Sequence, residues 1–146
     1  MTIRAERVIL DTNIWIFGLR RTSAYEDCAL LLNRLGDLTV LVPRQILREL
    51  QLNLSDDELR EFFRLVSLHP ARIGIDWGHA PTELVKKYEA GGWRRGDAVI
   101  AAHLEHLAVP SLVSENREFL KDAPGLPFRL LTAAEALASL AEPSSG

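Results

Sequence analysis

Acidic and polar side chains stand where predicted strands end. The apolar run Val8–Leu10 is typical of a strand with no solvated face, as in a parallel sheet covered by helices on both sides. Three polar residues follow it directly: Asp11, Thr12 and Asn13. Ligands of open α/β sheets bind outside the carboxyl ends of the strands, which makes Asp11 a candidate site residue. Asp, Thr and Asn also favour helix caps and turns, so capping is the competing interpretation of the same residues.

Two further acids lie beside predicted helical stripes. A helix is predicted from Asp97 to about Leu107, and counting back along its apolar positions by three and four residues reaches Asp97 itself. Glu49 flanks the apolar stripe of an earlier helix. Taken singly, Asp97 is better explained by N-capping, and a glutamate beside a stripe is usually solvated.

The acids are more informative together than singly. Asp11 ends the first strand, Glu49 lies on the helix after the second, Asp97 heads a later helix, and the polar segment 114–118 follows a further strand. In a parallel sheet these positions converge on one edge, where acids raise one another's pKa values unless a cation lies between them. Mg²⁺ and Mn²⁺ suit carboxylate ligands, and the matching chemistry is metal-assisted phosphodiester hydrolysis.

Strand and helix patterns alternate along the whole chain, which predicts an α/β fold with right-handed βαβ units around a central, mainly parallel sheet. A single domain is expected over residues 1–141, with a flexible tail at 142–146. Capping boxes are predicted at Ser23–Glu26 and Thr132–Glu135, and Pro43 is placed in the first turn of a helix. The helix that starts near Ser55 is predicted to bury Leu59, Phe62, Phe63 and Val66.

Length and composition fit one ordinary globular domain: 146 residues, of which 47% are hydrophobic and 25% charged. A single cysteine, Cys28, excludes an internal disulfide, and its apolar surroundings predict a buried, inert thiol. Neither a signal peptide nor a membrane-spanning stretch is evident, so a cytoplasmic protein is expected. The net charge of −3 does not indicate a nucleic-acid binder, but basic residues occur in local pairs, including Lys86-Lys87 and Arg94-Arg95.

Four segments, in order along the chain, resemble the motifs of the PIN-domain ribonucleases: Leu10–Asn13, Arg48–Leu50, Gly96–Ala102 and Val113–Phe119. The resemblance runs from Val8 to about Leu131. It implies a three-layer α/β/α sandwich and an RNA endonuclease that needs Mg²⁺ or Mn²⁺.

Position by position, the resemblance assigns the catalytic and metal-binding role to the acids Asp11, Glu49 and Asp97. It assigns a supporting polar role to Thr12, Asn13 and Ser114. The family often has a fourth acid two residues after the Ser or Thr, and this chain has Asn116 there. Asn116 offers a carbonyl oxygen but no charge; Glu115 or Glu118 are the acids that compensate in this interpretation, and either one or two metal ions remain open.

A chain of this size with no added domain is similar to the VapC-type toxins of toxin–antitoxin pairs. That resemblance implies a cognate antitoxin protein across the acidic cleft and a homodimer. Arg94, Arg95 and Arg117 are candidates for RNA phosphate binding, because a guanidinium matches phosphate geometry. Solvated surface is the alternative role for these arginines.

Other functions remain as alternatives. An inactive PIN-like module that only binds RNA or protein is compatible with Asn116. An Asp-based phosphatase is disfavoured, because its second Asp would stand at Asn13. His103 and His106 lack partners at zinc spacing and are expected on the surface or at the edge of the core. Trp15 and Trp93 are expected to pack rather than to stack on bases.

Overall fold

A five-stranded sheet, in which every neighbouring pair of strands is parallel, forms the centre of the molecule. The computed structural model describes residues 6–116 and 125–141. The strand order is β3-β2-β1-β4-β5. The strands are β1 (Arg7–Leu10), β2 (Thr39–Pro43), β3 (Ile73–Asp76), β4 (Ser111–Val113) and β5 (Arg129–Leu131).

Helices connect and cover the strands. Within the described ranges they are α1 (Thr12–Arg20), α2 (Glu26–Leu32), α3 (Arg44–Asn53), α4 (Asp56–Leu68), α5 (Thr82–Ala90), α6 (Arg95–His106) and α7 (Ala133–Ala141). Short 3₁₀ turns occur at Ser23–Tyr25 and Leu35–Asp37. The predicted α/β architecture with a central parallel sheet is therefore confirmed.

The middle strand β1 is covered on both faces. Side chains of successive strand residues point to opposite sides of a sheet, and Val8, Ile9 and Leu10 are all at most 1% exposed. The chain proceeds from β1 to β2 and β3 on one side, and then crosses back to β4 on the other. The strand order thus reverses between β1 and β4, which is where α/β sheets open a crevice at their carboxyl ends.

Aromatic packing fixes α1 against α4. Trp15 is fully buried, and its ring meets the edge of the buried Phe62 with centroids 4.8 Å apart. On the other side of the fold, α6 packs against α5 and also contacts α3. These contacts hold the first turns of α1 and α6 and the middle of α3 in fixed positions relative to the sheet.

Some local predictions are wrong. Ser23 and Glu26 form no capping box, because Ser23–Tyr25 is a 3₁₀ turn and α2 starts only at Glu26, with no side-chain cap. The stacking of Tyr25 on Phe17, at 4.1 Å between ring centroids, accompanies this tighter turn. Pro43 ends β2 and precedes α3 rather than starting it.

The predicted buried face of α4 is also too wide. Phe63 is 37% exposed, since the fully buried position on this helix is Phe62. By contrast, the capping box at Thr132 and Glu135 is confirmed by both of its hydrogen bonds, at 2.9 and 3.1 Å. Among the helices of the described ranges, none has the length and apolar character needed to cross a membrane. The predicted tail at 142–146 lies outside the described residues.

Candidate active site

Asp11 lies where β1 ends and α1 begins, and it is 4% exposed. Its backbone N–H donates to the Val113 carbonyl at 2.9 Å, so β4 holds the chain at this point. Its Oδ1 accepts from the Thr12 N–H at 2.8 Å and caps the helix, while its Oδ2 accepts from the Ser114 hydroxyl at 2.7 Å. The capping interpretation and the site interpretation are therefore compatible, because one carboxylate serves the cap at one oxygen and faces the crevice with the other.

Thr12 links the first acid to the second. Its hydroxyl donates to Oε1 of Glu49 on α3 at 2.7 Å, across 37 positions of sequence. The other carboxylate oxygen, Oε2, accepts from Nε2 of Gln45 at 2.8 Å, one helical turn earlier. Glu49 is therefore held from both sides and directed toward the start of α1.

Asp97 lies in the first turn of α6, close to α3. The neighbouring Gly96 shows how tight this approach is, because a Cβ added there would lie 3.3 Å from Glu49 Oε2 and 3.5 Å from Gln45 Nε2. The electrostatic contribution of Asp97 to Asp11 places it in the same neighbourhood. The three acids predicted to cluster do come from three separate elements that meet at the carboxyl edge of the sheet.

Asn13 and Ser114 tie the two central strands together behind the acids. Ser114 is fully buried, and its hydroxyl accepts from the Asn116 N–H at 3.0 Å and from Nδ2 of Asn13 at 3.3 Å. The Asn13 side chain accepts from the Glu115 N–H at 3.1 Å. The polar residues predicted as supports thus form one network around Asp11.

Burial raises the pKa of Asp11 to about 6, despite the hydrogen bonds from Ser114 and Thr12 that lower it. The negative charges of Glu49 and Asp97 raise this pKa further. A buried carboxylate with two acidic neighbours favours either a proton or a cation.

The donor set has the chemistry of a hard divalent cation site, because all three side chains offer carboxylate oxygens. Within residues 6–116 and 125–141, however, no three His, Cys, Asp or Glu side chains are arranged so that they could hold an ion as they stand. The residue types, though not their arrangement here, fit Mg²⁺ or Mn²⁺.

The remaining predicted site residues are less close to this cluster. Arg94 is the exposed residue that precedes α6, and Arg95 is its exposed first residue, 3.4 Å from Glu89. One oxygen of Glu115 accepts from the Ala133 N–H at 2.9 Å, which holds this carboxylate at the start of α7. Arg117 and Glu118 lie outside the described residues.

Sequence reasoning missed two residues near the site. Gln45 holds Glu49, and its spacing of four residues on one helix was the available signal. Trp77, just after β3 ends, is 61% exposed, on a turn in which Asp76 accepts from the Gly78 N–H at 2.8 Å. Trp15 and Trp93 pack as predicted, since Trp15 is fully buried and the Trp93 ring packs against Tyr88.

The prediction for His103 is wrong. Its side chain is 3% exposed rather than at the surface, because residues 100–104 of α6 are all buried and the helix is covered on more than one face. Burial lowers its pKa, and its Nδ1 atom has no hydrogen-bond partner in the described part of the chain.

Comparison with known proteins supports the fold. No protein-family model matches this chain, and no curated protein is significantly similar to it in sequence. Among solved structures, the chain is similar to a chain of VapBC2 from Rickettsia felis, whose crystal structure contains a DNA fragment from the promoter of that pair. The TM-score is 0.58 at 20% sequence identity, over 86% of this chain and 98% of the other. At this identity the likeness shows a shared α/β architecture.

Proposed function

We propose that this protein is a divalent-metal-dependent endoribonuclease that hydrolyses RNA phosphodiester bonds. The observation that carries the proposal is the meeting of three acids from separate elements at one edge of the sheet, with Asp11 buried and two carboxylates beside it. The fold shared with a chain of VapBC2 supports it. The resemblance of the sequence motifs to the PIN-domain ribonucleases points to the same chemistry.

In this proposal two of the three acids have positioning partners. Asp11 is oriented by the Ser114 hydroxyl and the Thr12 N–H, and Glu49 by the Thr12 hydroxyl and Gln45. A bound Mg²⁺ or Mn²⁺ ion would lower the pKa of a water molecule and neutralise charge on the scissile phosphate. Asp11, Glu49 and Asp97 are the residues that would hold it, and the fixed carboxylates orient the attacking water.

The biological role that we propose is that of the toxin of a type II toxin–antitoxin pair. The structural relative was crystallised as a VapBC2 complex with DNA, and the proposal transfers the toxin part of that pairing to this chain. A cognate antitoxin protein and a homodimer belong to the same proposal. Co-expression with the neighbouring open reading frame, followed by size-exclusion chromatography with light scattering, tests both.

The activity is tested by incubating purified protein with RNA in Mn²⁺, in Mg²⁺ and in EDTA. Cleavage is expected with either metal and not in EDTA. Asp97→Asn is expected to abolish cleavage while preserving the fold, whereas Asp57→Asn, an acid in the first turn of α4 with a 92% exposed side chain, is the matched control and is expected to cleave normally. RNA left uncut in every tube would instead favour the inactive binding module.

A further inference from the structure

A second cleft lies beside the acidic cluster. It is bounded by α3, α5, α6 and the loop that follows β3. Its volume is about 370 Å³. Gln45 is part of its wall and donates to Glu49 from that position, so the cleft and the acids share one boundary. Arg95 also lines the cleft, two residues before Asp97.

The charge of this cleft is opposite to that of the neighbouring acids. Three cationic side chains, Arg48, Lys86 and Arg95, line it from three different helices, and a single acid, Glu89, stands among them. Arg48 and Lys86 are exposed and form no ion pair within residues 6–116 and 125–141. Half of the Lys and Arg residues in the described ranges are paired with acids at 3.4 Å or less, for example Arg20 with Glu58 and Arg64 with Glu61.

We propose that this cleft, defined by Arg48, Lys86 and Arg95, is a phosphate-binding subsite for the RNA strand on the flank of the acidic cluster. The proposal rests on the proposed function, since it assigns the place where the substrate backbone is gripped. Unpaired Arg and Lys side chains converging in a concave site are the usual partners of phosphate oxygens. The cleft supplies positive charge, which the acidic cluster itself lacks. This local positive charge is not evident from the net charge of −3 of the whole chain.

The position of the cleft favours RNA over an acidic peptide as its occupant. Gln45 lines the cleft and donates to Glu49, and the lining residue Arg95 lies two residues before Asp97, so a strand bound in the cleft lies beside these acids. A polyanion whose phosphates must reach those acids is best held immediately beside them. The bond between Arg95 and Glu89, at 3.4 Å with the arginine side chain 77% exposed, is loose enough to be exchanged for a phosphate contact.

The direct test is RNA binding in EDTA, which separates binding from cleavage. A short fluorescein-labelled single-stranded RNA of mixed sequence is titrated with wild-type protein and with Arg48→Ala, Lys86→Ala and the double variant. Each single substitution is expected to weaken binding about tenfold, and to a similar extent for RNAs of different sequence. The slope of log affinity against log salt is expected to fall by about 0.7 for each cation removed.

Arg72→Ala is the matched control. Arg72 is exposed, precedes β3 at the amino edge of the sheet, and is therefore at the opposite end from the cleft. It is expected to bind RNA as the wild type does. Because Arg48 and Lys86 are exposed, their variants are expected to keep the wild-type melting temperature.

Binding and cleavage outcomes distinguish the two proposals. Unchanged RNA affinity and salt slope in the double variant would overturn the subsite, and so would an absence of RNA binding by the wild type at low salt. A loss of affinity for a glutamate-rich peptide with unchanged RNA affinity would also overturn it, in favour of a protein partner. If the variants weaken RNA binding but wild-type protein never cleaves RNA in Mn²⁺, the subsite stands and the nuclease proposal fails. In an active protein, the double variant is expected to raise KM with little change in kcat.

Discussion

At the scale of single residues, Thr12 contacts two of the three acids, one through its backbone N–H and the other through its hydroxyl. The amide donates to Asp11 and the hydroxyl to Glu49, so one residue fixes the relative placement of two carboxylates. Groups that orient metal-binding carboxylates affect metal affinity nearly as strongly as the ligands themselves.

Replacing Thr12 with valine removes the hydroxyl and keeps the branched shape in a position that is only 8% exposed. We expect Mn²⁺ affinity to fall at least about tenfold while the metal-free protein stays folded. The measurement is the rise in melting temperature with Mn²⁺ concentration, because a ligand that binds only the folded state stabilises it in proportion to the logarithm of its concentration. Thr39→Val, at the start of β2, is the control. Equal Mn²⁺ responses in all three proteins would contradict this role of Thr12.

Trp77 presents an exposed indole on a turn that Asp76 holds in shape. Trp77 is two residues from His79, which lines the basic cleft. In the subsite proposal, an RNA strand bound in the cleft therefore lies near the Trp77 indole. We expect Trp77→Ala to weaken single-stranded RNA binding by about 1–3 kcal/mol and Trp77→Phe to retain most of the affinity, since stacking needs only a π-face. RNA is expected to quench the tryptophan fluorescence of the wild type, and most of this quenching is expected to be absent in Trp77→Ala. Full quenching in Trp77→Ala would assign the signal to another residue and exclude stacking here.

At the scale of elements, the sequence predicted best where chemistry and local structure agree. Val8–Leu10 reads as a doubly covered strand and is one, and Thr132 and Glu135 form both bonds of the predicted capping box at the start of α7. Prediction failed at Ser23, where the residue pattern of a capping box is present but the chain forms a 3₁₀ turn beneath the Phe17–Tyr25 stack. That outcome depends on a contact between side chains of two elements, which a local motif does not encode.

The same reasoning explains what could be predicted of the site. Asp11, Glu49 and Asp97 could be assigned to one edge because a parallel sheet brings the ends of its strands together. The basic cleft could not, since Arg48, Lys86 and Arg95 come from three helices whose mutual packing the sequence does not reveal. His103 was misplaced for a related reason, because α6 buries the five consecutive residues 100–104, and its apolar stripe does not reveal the packing that covers this second face.

The capping box of α4 gives a stability prediction. Ser55→Ala removes the acceptor for the Glu58 N–H, a bond of 3.2 Å, and keeps the reciprocal bond from the backbone N–H of residue 55 to the Glu58 side chain. We expect the free energy of unfolding to fall by about 1 kcal/mol, measured as the midpoint of urea denaturation. Ser67→Ala, an exposed serine near the other end of α4, is expected to change it by less than about 0.5 kcal/mol. A loss in Ser55→Ala no larger than that in Ser67→Ala would exclude a contribution of the cap.

At the scale of the whole molecule, the buried His103 couples folding to pH. Burial lowers its pKa below the ordinary value near 6.5, and among its charged neighbours Asp76 opposes this shift while His79 and His106 add to it. A histidine with a lowered pKa in the folded state takes up its proton more readily when unfolded. Its contribution to stability is therefore retained above about pH 6.5 and is lost as the pH falls below that value.

We accordingly expect stability to decrease between pH 7.5 and pH 5 less steeply in His103→Leu than in the wild type. The measurement is urea denaturation at both pH values, compared as the difference within each protein. His69→Gln, a histidine that follows α4 and is not among the charged neighbours of His103, should keep the wild-type difference. An unchanged slope in His103→Leu would show that other groups dominate the acid response.

The long separation between partners in the site has a consequence for the synthesis of the protein. Asp11 accepts a hydrogen bond from the hydroxyl of Ser114, 103 positions later in the sequence. Strand β1 gains its second neighbouring strand only when β4 is present. A chain still emerging from the ribosome has Asp11 and Glu49 long before it has the strand that holds them. The site around Asp11 therefore cannot assemble from the N-terminal part of the chain alone, and it is completed only after β4 and Ser114 have been synthesised.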